Sequence, residues 1–275
     1  MVASLASTAA IGMVLYAVST SLPFLATPSN TDVRFGATNQ CLMGALQAPR
    51  VGFAVSWDAG AVAGYTGDAL ALCEGAHRVA SLAQPGVQSA SWDATGTLWL
   101  ALDVPDAGQR LAFLSPDGGV EELGDVAPVA LAGHAQGVVV LDASGKLTSL
   151  KRNGEALGWA ELSAGPVGPA RLSVNADGTL VAVVTGGGFL VYRTNSLERV
   201  RAEAPCDLEY LWWSPRGTQA ILDCGPRAAF ALALDVTTGA REAAPKRARV
   251  RSTLVPGAGV YVGPCEQLPC QVDAP

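Results

Sequence analysis

The sequence predicts an all-β fold, a six-bladed β-propeller, and three observations predict it. Six glycines, Gly60, Gly96, Gly137, Gly178, Gly217 and Gly259, recur about every forty residues. They close short polar turns such as SWDAG, SWDATG, VNADG and WSPRG. Each turn launches an apolar, β-rich run: TLWLALD from Gly96, VVVLDAS from Gly137, TLVAVVT from Gly178 and TQAILDC from Gly217. A period of this length, with several short strands per unit, marks blades that bury their faces only against neighbouring blades.

The composition supports one large domain. Apolar residues make up 49% of the 275 and charged residues 15%, enough to build a core and too few charges for disorder. The net charge of −6 and the absence of a long basic tract exclude nucleic acid as a partner, because phosphate binding needs a concentrated Lys/Arg surface. With only His77 and His134 present, chemistry built on a histidine cluster is excluded as well.

Residues 1–26 form the first element. No charged side chain occurs from residue 2 to residue 31, and Val2 to Ala26 is long enough to cross a bilayer as a helix, which needs about twenty apolar residues. We read it as a retained transmembrane anchor, with a cleaved signal peptide as the alternative, because no positive n-region precedes it and its cleavage site is ambiguous. Residues 27–34, containing TPSNTD, read as a linker in which Pro28 opposes continuation of the helix. Residues 35–275 are the propeller.

Within it, the first full blade is expected at 60–95, with strands AVAGYTG, ALALC, RVASLA and VQSASW. The second spans 96–136, including LAFLSPDGGVEEL with its Pro-Asp-Gly-Gly hairpin turn. The third, fourth and fifth cover 137–177, 178–216 and 217–258. The leftover strands CLMGALQ and RVGFAVSW near the N-terminus and GVYVGPCEQLPCQVDA at the C-terminus then combine into a shared sixth blade that closes the ring. Five or seven blades are the alternatives.

SVNADGTLVAVV at 173–184, SWDATGTLWLAL at 91–102 and WWSPRGTQAIL at 212–222 resemble the repeats of extracytoplasmic propellers of the TolB-like, YVTN and WD40-like groups. The resemblance covers about 35–275 and implies architecture only. Ser91, Asp93, Gly96 and Trp99 are also similar to the Asp-box of sialidase-like propellers. The spacing before the glycine is one residue longer here, and no arginine–tyrosine cluster follows, so that activity is not implied.

Six cysteines in an exported β-rich domain point to disulfides. The blade pattern suggests Cys41 with Cys73 near hairpin turns of neighbouring blades, Cys206 with Cys224 at an inter-blade junction, and Cys265 with Cys270 around a short loop. A metal role for them is disfavoured by the lack of C-x-x-C and of histidines at ligand spacing. Asp103, Asp142 and Asp223 each follow a turn glycine at the end of an expected innermost strand. Together they are the candidate ligands for Ca²⁺ or another hard cation in the channel, against the plainer reading of turn aspartates. No other cofactor is implied. Trp57, Trp92 and Trp213 precede the turns and are expected between blades, with Trp212–Trp213 on an outer strand. Both histidines read as surface loop residues. Arg241, Lys246, Arg247, Arg249 and Arg251 are the basic cluster, and the last four are the candidate partner-binding surface.

These readings combine into a membrane-anchored extracytoplasmic propeller without catalytic residues, acting as an interaction or scaffold subunit with other protein subunits as partners. The alternatives are a channel-metal hydrolase of the lactonase type and a periplasmic propeller binding small molecules or glycans.

Overall fold

The computed structural model describes residues 30–46, 52–82, 86–115, 118–124, 126–162, 170–185, 188–203, 208, 210–215, 217–225, 231–244, 253–255, 258, 260–265 and 268–272. The apolar segment 1–26 and the basic residues Lys246, Arg247, Arg249 and Arg251 lie outside them. No helix among the described residues is long and apolar enough to cross a membrane. One helix, α1 (Asn30–Ala45), precedes the strands.

The strands form six antiparallel meanders. The first contains β1 (Gly52–Val55), β2 (Ala61–Tyr65), β3 (Leu70–Glu74) and β4 (His77–Leu82). The second contains β5 (Val87–Trp92), β6 (Leu98–Val104), β7 (Gly108–Leu114) and β8 (Val120–Glu122). The third contains β9 (Pro128–His134), β10 (Gly137–Asp142), β11 (Lys146–Leu150) and β12 (Ala156–Glu161), and the fourth β13 (Arg171–Val174), β14 (Leu180–Thr185), β15 (Gly188–Arg193) and β16 (Arg199–Glu203). The fifth contains β17 (Tyr210–Trp213), β18 (Gln219–Asp223), β19 (Ala231–Asp235) and β20 (Arg241–Ala244). The sixth has three strands, β21 (Thr253–Val255), β22 (Val260–Cys265) and β23 (Leu268–Val272).

Successive sheets touch through their first strands, β1 to β5, β5 to β9, β9 to β13, β13 to β17 and β17 to β21, so these strands are innermost around a common axis. The apolar runs after the glycines are therefore second strands, and every expected blade boundary moves by one strand. VQSASW opens the second sheet instead of completing the first. Trp212 and Trp213 likewise stand on an innermost strand, not an outer one. The physical reason is that the glycine turns join strands within a sheet; the connection between sheets carries no comparable signal.

The second strands read as continuous apolar runs because both faces are covered. In β6, Leu98, Leu100 and Leu102 pack toward the first sheet, while Trp99 and Ala101 pack toward the third. In β14, Leu180 and Ala182 face the fifth sheet and Val181 and Val183 the third. Period-2 alternation is thus split between two cores, each apolar.

Among the described residues the ring does not close through a shared blade. Gly52–Val55, within RVGFAVSW, begins the first sheet directly, and residues 41–45 of CLMGALQ, expected as a strand, belong to α1, which also takes up part of the expected linker. Phe35, Thr38, Leu42 and Leu46 are buried at helical spacing, a stripe that fits one face of a helix. Phe35, Leu42 and Leu46 share a core with Val62, Ala71 and Cys73 of the first sheet and Val255 and Val262 of the sixth. The Asn39 amide donates to the Pro269 carbonyl of β23 at 3.1 Å. A Cβ on Gly64 would stand 2.9 Å from Leu46 and 3.0 Å from Leu42, so glycine lets the helix approach β2. The Cys41–Cys73 disulfide ties α1 to β3, with Cys41 on the helix rather than at a hairpin turn. Cys224 is also disulfide-bonded. Cys206 and the side chains of Cys265 and Cys270 lie outside the described residues.

Removing the Cys41–Cys73 link, which spans a separation of 32 residues, should destabilise the fold by about 2–4 kcal/mol through loop-closure entropy in the unfolded chain. Urea unfolding of the Cys41→Ser, Cys73→Ser protein should show a lower midpoint at a similar slope. An unchanged midpoint would mean that apolar packing alone holds α1 in the seam.

Candidate functional site

The innermost strands end at one face, where each of the first five sheets buries one polar residue at the entry to its glycine turn: Ser56, Asp93, His134, Asn175 and Ser214. These side chains build the turns. Ser56 Oγ accepts the Ala61 N–H at 2.8 Å. Asp93 Oδ1 accepts from Thr95 N, Thr95 Oγ1 and Thr97 N, and its Oδ2 accepts the Trp99 indole N–H at 2.9 Å. Asn175 Oδ1 accepts the Leu180 N–H at 2.9 Å, and its amide donates to the Gly217 carbonyl of the fifth sheet at 3.0 Å. His134 Nδ1 accepts the Gln136 N–H at 3.3 Å and its Nε2 meets Ser149 Oγ at 3.1 Å. With Nδ1 accepting, the ring proton of the neutral imidazole resides on Nε2 and is given to Ser149. His134 is therefore a core residue, contrary to the surface position expected for it; His77 is exposed. The residue type three positions before Gly96, Gly137, Gly178 and Gly217 is the sequence signal for this set.

Side chains also stitch the sheets together along the channel. Trp57 Nε1 donates to the Trp92 carbonyl at 2.8 Å, and Trp213 Nε1 to the Ser173 carbonyl at 2.9 Å. The Gly133 N–H donates to Ser91 Oγ at 2.9 Å, and the Tyr261 hydroxyl donates to the Trp213 carbonyl. Burial pushes the Tyr261 phenol up to about 12, which keeps it a donor. Trp57 comes from the first sheet, yet a Cβ on Gly178 of the fourth-sheet turn would overlap its six-membered ring. The indole thus crosses the axis, and Gly178, at φ +74°, leaves room for it. The space beside it is a cavity of about 230 Å³.

Asp103, Asp142 and Asp223 sit on second strands, not innermost ones. All three lie at the opposite end of their sheets from the turns: Asp142 pairs with Pro128 and Asp223 with Tyr210, while Asp103 follows Leu102, the partner of Val87. Asp142 Oδ1 accepts from Ser144 N, Ser144 Oγ and Lys146 N, closing its own turn. Asp223 is buried and accepts the Gly225 N–H at 3.0 Å; Asp103 is exposed. Among the described residues, no three His, Cys, Asp or Glu side chains come together as a metal-binding group. Arg241 pairs with Glu203 at 2.6 Å, between the fifth and fourth sheets. Trp159, which no sequence signal singles out, is 62% exposed on the outermost strand β12 of the third sheet.

No protein-family model and no curated protein sequence matches the chain. Solved structures do. A chain of a mitotic checkpoint complex is similar over 80% of this chain and 73% of its own, at 13% identity and a TM-score of 0.56. The β-propeller domain of Cps50 (Swd1) from Myceliophteria thermophila is similar over 78% of this chain and 79% of its own, at 12% identity and the same TM-score, 0.56. The fold is a β-propeller of WD40-like architecture. At such identities the likeness is one of fold, so the chemistry of this propeller has to be read from its own residues.

Burial lowers the His134 pKa from 6.5 to about 4. The unfolded chain takes up this proton more readily than the folded one, so the neutral imidazole contributes its full stability above pH 6.5. That contribution falls away as the pH drops from about 6.5 to about 4, by about 3 kcal/mol in all. Urea midpoints at pH 7 and pH 4.5 should therefore differ more in the wild type than in His134→Gln. Equal pH dependence of the two proteins would place the acid sensitivity elsewhere.

Proposed function

We propose that this chain is a six-bladed, non-catalytic interaction propeller, held by residues 1–26 on the extracytoplasmic side of a membrane, where it works as a scaffold subunit of a membrane-associated complex. One observation supports the non-catalytic reading above others. The buried carboxylates and the buried histidine among the described residues, Asp93, Asp223 and His134, are each hydrogen-bonded to the backbone of an adjacent turn. Groups spent in this way hold loops in place, and a rigid ring of loops is a wide surface for a protein partner. One of the similar folds belongs to a multi-protein assembly, the mitotic checkpoint complex.

The surface we assign to the partner is the basic segment Lys246, Arg247, Arg249 and Arg251, which lies in sequence between β20 and β21; the exposed Trp159 on β12 is a second, separate contact. Tryptophan is among the residue types enriched at binding hot spots. A cluster of cations favours an acidic face on the partner, with attraction screened over about 8 Å at physiological ionic strength.

Purification from native membranes is expected to recover the chain with other subunits. Replacing the four basic residues by Ser should weaken that association, most clearly at low salt, and Trp159→Ala should weaken it with little salt dependence. Asp103→Asn, Asp142→Asn and Asp223→Asn should leave it intact. Recovery of the chain alone, or a metal-dependent lactone hydrolysis lost in the three Asn variants, would overturn the scaffold reading. N-terminal sequencing tests the anchor: a mature terminus between about residue 19 and residue 30 would make residues 1–26 a cleaved signal.

A further inference from the structure

The axis of the ring breaks the repeat at one place. After the buried polar residue, the second to fifth sheets carry Ala94, Ala135, Ala176 and Pro215, whereas the first carries Trp57 in a turn longer by one residue. That single large side chain reaches across to Gly178 and covers the end of the central cavity nearest the turns. The cavity walls come from the innermost strands and the sixth sheet, through residues such as Phe53, Leu131, Leu172, Leu254 and Val262. None of the described lining side chains ionises; they are Phe, Ala, Val, Trp, Ser, Leu and Gly.

Two kinds of surface therefore meet a molecule in this space. One is the indole of Trp57 with apolar walls around it. The other is the free edge of the innermost strands, which pair with a neighbour on one side only and leave backbone N–H and C=O groups toward the axis. Some of those groups are taken: the Trp92 and Ser173 carbonyls by indoles. A charged guest would find no counter-charge among the described lining residues, which is strongly unfavourable. Size narrows the choice further. An apolar cavity of about 150 Å³ accepts benzene, and pockets for drug-sized ligands begin near 300 Å³; this one, at about 230 Å³, lies between.

We propose that the central cavity binds a small uncharged aromatic heterocycle of one or two fused rings, stacked or edge-packed on Trp57 and hydrogen-bonded to the inner strand edges. Such a group reaches the cavity either as a free small molecule or as an indole-type side chain carried by a partner, and the binding chemistry is the same. This inference stands apart from the scaffold role and does not need it.

The test uses the full chain titrated with indole and benzimidazole, followed by calorimetry and by the rise in melting temperature that binding to the folded state produces. We expect saturable one-to-one binding of these probes, with indole-3-acetate and tryptamine at least tenfold weaker. Trp57→Phe should keep binding, because the aromatic floor survives. Trp57→Leu should weaken it at least tenfold, as should Gly178→Ala, which displaces the indole. A peptide with an internal tryptophan that competes with indole would identify a partner's side chain as the source; competition by free heterocycles alone would identify a small molecule. Absence of saturable binding by either neutral probe to the wild type overturns the proposal. So does equal affinity for charged and neutral analogues, or undiminished binding in a cooperatively melting Trp57→Leu protein. Should Trp57→Leu fail to fold, Gly178→Ala and the charged analogues decide.

Discussion

Each innermost strand of this ring is hydrogen-bonded along one edge only, and everything near the axis depends on how the other edge is satisfied. Buried backbone groups without partners are costly, so the chain must find donors and acceptors there. It finds them in side chains from the next sheet. The indole of Trp57 serves the Trp92 carbonyl, that of Trp213 serves Ser173, the Tyr261 phenol serves Trp213, and Ser91 accepts from Gly133. These links run between sheets, not within them. They fix the angle and height of one sheet against another in a way that apolar contact, being non-directional, does not.

Closure is the second constraint. A ring of sheets must join its first member to its last, and a shared blade does so with backbone hydrogen bonds. Among the described residues the sixth sheet has three strands, and α1 packs into the seam, with Phe35, Leu42 and Leu46 inserted and Cys41 bonded to Cys73. A helix satisfies its own backbone internally, so it can close a gap between sheets through side chains alone. The covalent bond adds to this packing. Asn39 adds one direct link from the helix to β23.

The polar residues at the turn entries show how structural and chemical readings of one residue part company. Asp93 gathers the N–H groups of its turn and the Trp99 indole. His134 occupies the same place in the third sheet with different chemistry, accepting at Nδ1 and facing Ser149. A carboxylate, an amide, an imidazole and a hydroxyl thus do the same work at equivalent positions. The imidazole adds a pH dependence in the mildly acidic range.

The sequence by itself determined the repeat, the strands and the turns, because these are local: a polar turn closed by glycine and an apolar run buried on both faces are visible in SWDATGTLWLAL or SVNADGTLVAVV. The pairing of Cys41 with Cys73 agrees with the expectation, but it joins a helix to a strand and not two hairpin turns. Which strand is innermost was decided only in three dimensions, since a run such as β6, covered by two neighbours, looks the same from either side of the blade boundary. Residues 30–45 were ambiguous for a related reason: CLMGALQ is short and apolar, and its helical state rests on contacts with two sheets far apart in sequence. The position of Trp57 across the axis is of the same kind. Nothing within a few residues of it encodes Gly178 on the far side, and only closure of the ring brings the two together.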